Sequence, residues 1–171
     1  LIRFLGAVLI TAGTAAWGIL SVLRLRRRVR NLGAILSALD VLKSEICDRL
    51  TPMPDLLRQM AAEATYPASL LFKNASEKIE ALGSRPFSAI WSQAVQDTPE
   101  LLLKPPEELI LTELGMSLGR YDIGEQRSSL AYAARRMEEC RSRAEADRDK
   151  NSKVHGFLGV AAGLFVVVIL L

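Results

Sequence analysis

The sequence predicts an all-α protein, a compact six-helix domain carried between an N-terminal and a C-terminal transmembrane helix. Three observations lead there. Apolar residues through the middle of the chain recur every three or four positions, with no alternating run that would make a strand. The prolines fall where those periodic segments begin rather than inside them. Both ends are long uncharged runs whose inner flanks are basic.

From Phe4 to Leu23 the chain runs 20 residues without a charge. As a helix rising ~1.5 Å per residue, that length covers a hydrocarbon core ~30 Å thick. Arg24, Arg26, Arg27, Arg28 and Arg30 follow at once, whereas Arg3 is the one basic side chain on the other flank. Arginines beside a span hold that flank in the cytoplasm and anchor it to anionic headgroups. A cleaved secretory signal is the alternative, but its apolar region would span ~7–15 residues, and the arginines behind it would oppose export.

At the far end, Val154–Leu171 is an 18-residue stretch with no formal charge when His155 is neutral. Arg148, Lys150 and Lys153 precede it. The two flank asymmetries agree on a membrane hairpin. Residues 1–23 and 154–171 would span, residues 24–153 would be cytoplasmic, and both termini would lie outside. Gly156, Gly159 and Gly163 share one face of the second span, and Ala12 and Ala16 give the first span a similar small-residue spacing. Such faces let spans, or protomers, approach closely.

The overall charge of +3 is unevenly placed. Between Asn31 and Lys153 lie 16 of the 22 basic residues and all 19 acidic ones, so that stretch carries −3. The basic balance belongs to the membrane flank, and aromatic residues that could stack bases are scarce, which argues against a nucleic-acid face. Cys47 and Cys140 stand far apart in the part predicted cytoplasmic, where a disulfide is disfavoured. No Cys/His spacing suggests zinc, and each cysteine reads as a small buried residue.

The first domain helix continues the first span. Leu32, Ile35, Leu36, Leu39, Leu42, Ile46 and Leu50 form its apolar stripe, a face for the domain's own core or for a second copy. Thr51-Pro52 starts the second helix with Thr51 as N-cap, and Leu56, Leu57, Met60, Ala61 and Ala64 turn inward. Tyr66-Pro67 opens a third, carrying Leu70, Leu71, Ala75, Ile79 and Leu82, with Gly83 as its stop.

Arg85-Pro86 opens a short fourth helix with Phe87, Ile90, Trp91 and Val95 on one side. Thr98-Pro99 and Pro105-Pro106 bracket a turn holding Leu101 to Leu103. A fifth helix runs from Glu107 through Leu109, Ile110, Leu114 and Leu118 to Gly119. Asp122 stands three residues before Glu125, close to a capping box at the start of the sixth. That helix turns Leu130, Ala133, Ala134, Met137 and Cys140 inward, and its charged continuation to Lys153 reads as a solvated stalk.

In that order the segments LKSEICDRLTPMPDLL, PFSAIWSQAV and ELGMSLGRYDIGEQ, flanked by both spans, resemble the stage III sporulation protein AB family of endospore-forming bacteria. The resemblance covers essentially the whole chain. Its most specific part is Leu118-Gly119-Arg120-Tyr121-Asp122 followed by Gln126, with Glu45 and Thr51-Pro52 as a second match. More distantly, the domain resembles the cytoplasmic helical domain of type II secretion F inner-membrane platform proteins. Gly115 and Gly119 keep the glycine spacing of their turn, but Met116 stands where those proteins have an acidic residue, and this chain has one such domain rather than two.

The resemblance implies a structural or adaptor component of the secretion-like channel between mother cell and forespore, in the mother-cell membrane facing the forespore. Its implied partners are a cytosolic secretion-type ATPase and other stage III sporulation A-type membrane proteins. The alternative is a membrane scaffold that oligomerises with itself and has no cytosolic client. Arg120, Tyr121, Asp122 and Gln126 are the candidate partner-binding residues, on a turn that could equally be a helix corner with Gly119 as its stop and Asp122 as its cap.

No enzyme is expected. His155 lacks a paired nucleophile or carboxylate, no phosphate-binding glycine loop is present, and Glu107-Glu108 and Glu138-Glu139 read as solvated helix faces. Neither cofactor nor metal is implied.

Overall fold

The computed structural model describes residues 2–81, 85–118 and 122–170, with side chains described for 20–79, 85–118 and 122–150. Among them are six α-helices, one 3₁₀ turn and no strand. The helices are α1 (Ile2–Cys47), α2 (Met53–Glu63), α3 (Ala68–Ala81), α4 (Phe87–Gln96), α5 (Pro105–Ser117) and α6 (Ile123–Leu170), with the 3₁₀ turn at Pro99–Leu101. The all-helical prediction holds, and α6 carries the predicted stalk as unbroken helix.

The chain divides into two units. One comprises Leu1–Val29 and Arg143–Leu171, the other Arg30–Ser142. Apart from Leu20–Leu23, the predicted transmembrane segments, with Ala12, Ala16, His155, Gly156, Gly159 and Gly163, fall on side chains outside the described residues. Among the described residues no helix is long and apolar enough to cross a membrane. In the first unit Arg24, Arg26 and Arg27 are exposed, as is Arg30 at the start of the second. Arg28 is 8% exposed, which corrects its assignment as a headgroup anchor. It shares a helix face with Leu32 and Ile35, both buried, so the inward stripe of α1 begins one turn earlier than its first leucine.

The Arg30–Ser142 unit has one core. Leu32, Ile35, Leu39, Leu42 and Ile46 of α1 are buried within this single chain. The stripe is therefore covered by the domain itself and is not left for a second copy. α2 packs on α3, α3 on α4, and α4 on α5. Trp91 is at the centre, fully buried, with its ring 5.8 Å from Phe72 and 5.9 Å from Phe87. Its indole N–H donates to the Leu111 carbonyl at 2.7 Å, so the one polar atom of the ring is satisfied.

Several polar residues do structural work that periodicity does not show. Glu107 is buried, not solvated, and its carboxylate accepts the Lys104 N–H at 2.7 Å, tying down the start of α5. Thr98, also buried, donates its hydroxyl to Ala94 O and accepts the Asn74 amide at 2.8 Å, while Lys78 pairs with Asp97 at 2.7 Å. These bonds fasten the end of α4 to α3. Cys47 is buried and Cys140 half-buried, neither in a disulfide.

Candidate partner-docking corner

The end of α1 and the start of α6 meet at one corner of the domain, and α5 ends at Ser117, shortly before α6 begins. Apolar periodicity would carry α1 past Ile46 to Leu50, but Pro52 disfavours helical backbone at residue 51, and the helix stops at Cys47. Leu50 takes up the reversal in the left-handed region, with φ 57. The Asp48 N–H bonds Ser44 O at 2.9 Å and the Thr51 N–H reaches back to Glu45 O at 3.0 Å, satisfying carbonyls of the last turn of α1. Leucine occupies the place where glycine is usual.

Thr51 was expected to cap α2, but Pro52 holds that position with no side-chain cap. The Thr51 hydroxyl instead donates to Glu45 Oε2 at 2.7 Å, and Arg49 donates to Glu45 Oε1 at 2.7 Å. Glu45 is buried, and these bonds supply the donors its carboxylate needs away from water.

On α6, Asp122 accepts the Gly124 N–H at 2.9 Å, the capping geometry expected of it. One turn on, Arg127 donates to Asp48 Oδ1 at 2.8 Å and to the Cys47 carbonyl at 3.4 Å. A cationic side chain thus reaches the last carbonyl of α1 and fixes the start of α6 beside its end.

The predicted binding set divides. Asp122 is exposed at the corner and serves as cap. Gln126 is 7% exposed, so its place on a partner-facing surface is overturned. It shares a helix face with Leu130, Ala133 and Met137, all buried, and so falls on the core side of α6. Arg120 and Tyr121, with Gly119, lie outside the described residues.

Three apolar side chains escaped the sequence reading: Leu50 is 61% exposed, Met116 in the last turn of α5 57%, and Ile123 at the first position of α6 40%. The available signal was the forced break after Ile46, which removes Leu50 from the stripe to which its spacing assigned it. Arg127 was missed because pairing across 79 residues leaves no local pattern. Among the described residues no cluster of His, Cys, Asp and Glu could hold a metal. The corner's features are those of a contact surface, with exposed apolar side chains on backbone pinned by charge-assisted bonds.

The family model of stage III sporulation protein AB matches residues 3–171. The chain belongs to that family. Stage III sporulation protein AB of Bacillus subtilis (strain 168) is 29% identical over 172 residues, spanning 100% of both chains. A solved structure of a stage III sporulation protein AB superposes with a TM-score of 0.66 at 26% identity, covering 72% of this chain and 98% of that one. A solved family relative therefore shares the helical fold of this chain.

Proposed function

We propose that this stage III sporulation protein AB family member is a membrane-anchored adaptor. Its two terminal helices would hold it in the mother-cell membrane facing the forespore, with Arg24–Lys153 in the cytoplasm. The corner of the helical domain would dock a cytosolic secretion-type ATPase alongside other stage III sporulation A-type membrane proteins of a secretion-like channel. One observation carries the docking role. Leu50, Met116 and Ile123 are exposed at a junction that the Arg127–Asp48 pair and the buried Glu45 carboxylate make rigid. Rigid apolar side chains at an exposed corner favour association because little conformational freedom is lost on binding.

Binding of the full-length chain, held in a lipid nanodisc, to the co-encoded ATPase tests the reading by titration at low and high salt. Saturable binding that weakens with salt supports it. Self-association without any bound ATPase would favour the scaffold reading instead.

A further inference from the structure

Within the Arg30–Ser142 unit, α5 and α6 lie side by side along a groove floored by Ile110, Leu114 and Ala133. At about 100 Å³ the groove is smaller than the ~300–1,000 Å³ of small-molecule sites, so it suits a side chain rather than a ligand. On its α5 side Leu109, Glu113 and Met116 stand at i, i+4 and i+7, and so share one helix face. On its α6 side Ser128, Tyr132 and Arg135 have the same spacing. All six are exposed, and Leu109, Met116 and Tyr132 each by more than half.

The face is held in place. Arg136 donates to Glu113 Oε2 at 3.3 Å across the groove. The guanidinium carbons of Arg136 and Arg135 stand 5.6 and 5.8 Å from the centroid of the Tyr132 ring. Large apolar side chains grouped on a fixed surface mark a contact site, because little freedom is lost when they are covered.

Charge divides along the groove. Leu109–Met116 contains Glu113 as its one charged residue, whereas Ser128–Arg136 contains Arg135 and Arg136 and no acid. Arg136 is matched by Glu113. Among the described residues no carboxylate reaches Arg135, Glu139 one turn beyond it included. The Arg136 bond uses Glu113 Oε2, and a carboxylate can accept a second guanidinium through Oε1.

The acidic, aliphatic half of the face therefore complements its basic, aromatic half. A second copy of the chain presents both. The Glu113–Arg136 bond sets the halves at one level, and a two-fold axis running along the groove preserves that level. Such an axis places α5 of each copy against α6 of the other, an isologous contact that closes at two copies.

We propose that the α5–α6 face joins two copies of this chain. Glu113 of each copy pairs with Arg135 of the other, and Leu109, Met116 and Tyr132 form the apolar centre. The proposal uses neither Leu50 nor Ile123, so it stands or falls apart from ATPase docking.

The test is energy transfer between donor- and acceptor-labelled full-length chains, tagged at the N-terminal amine and reconstituted in phosphatidylcholine vesicles. The unaltered chain should transfer above the level of random proximity, and excess unlabelled chain should remove the surplus. Arg135→Glu in both chains should weaken association about tenfold or more, since like charges then meet, with circular dichroism unchanged. Glu113→Arg in both chains should do the same. Mixing donor Glu113→Arg with acceptor Arg135→Glu should restore transfer, because that interface holds one native pair and one reversed pair. Random-level transfer by the unaltered chain overturns the proposal, as does undiminished association of Arg135→Glu. Failure of the mixed pair to recover, with both variants folded, also overturns it. Should Glu113→Arg not fold, the Arg135→Glu result decides alone.

Discussion

Gly115 of α5 and Trp91 of α4 pack as a single unit. A Cβ added at Gly115 would overlap the indole ring at Cδ1 and lie 2.9 Å from Cγ. The same ring donates its N–H to Leu111, one helical turn before Gly115. The glycine thus supplies the notch into which the indole fits, and the carbonyl beside the notch orients it. Gly115→Ala should destabilise the domain by about 1–3 kcal/mol, the usual cost of overfilling a packed core. Urea unfolding followed by tryptophan fluorescence measures it. Trp91→Phe should cost a similar amount, about 1–3 kcal/mol, because it loses both indole volume and the bond to Leu111.

The buried Glu45 carboxylate predicts a second cost. Thr51→Val preserves shape but removes the hydroxyl donor to Glu45 Oε2. Leaving a buried charged acceptor short of a donor should cost about 1–3 kcal/mol. Thr51→Ser keeps the donor and should recover most of that loss in the same unfolding experiment.

Much of the fold was legible in the sequence because its signals are local. Leu32 to Ile46, the prolines before α2 and α4, and Asp122 before α6 each announce a helix or a boundary through spacing or backbone chemistry. Asp122 capped as its spacing implied. What was not legible depends on contacts between distant segments. Asn31 anchors a turn 69 and 70 residues away, and Glu107 is buried although Glu107-Glu108 looks like a solvated pair. Thr51 carries a capping residue's signature and serves Glu45 instead. In the candidate site, Asp122 is seen as the cap its spacing implied, but Gln126 was placed on the wrong face because a motif match does not say which side of a helix is inward.

Left-handed Leu50 predicts an unusual pairing of effects. Leu50→Gly should leave stability unchanged or raise it by up to about 1 kcal/mol, since glycine relieves the αL strain at some entropic cost. Leu50→Val, β-branched at the same φ, should destabilise by about 1 kcal/mol or more. Thermal unfolding of the two variants side by side checks the order.

Asn31→Ala should release the 3₁₀ turn. Loss of the two amide bonds is expected to cost about 1–3 kcal/mol and to speed amide hydrogen exchange over residues 99–104 more than at the Cys47–Thr51 end of α1. Uniformly faster exchange throughout the domain would instead mean that Asn31 supports the whole core.

The most direct measurement is binding of the full-length chain in nanodiscs to the secretion-type ATPase, comparing the unaltered protein with Leu50→Gly and Ile123→Ser. Docking through the corner predicts saturable binding that both substitutions weaken. The Leu50→Gly variant should weaken it with no loss of thermal stability, which separates a lost contact from a lost fold. No saturable binding by the unaltered chain, or equal binding by all three, would contradict docking at the corner.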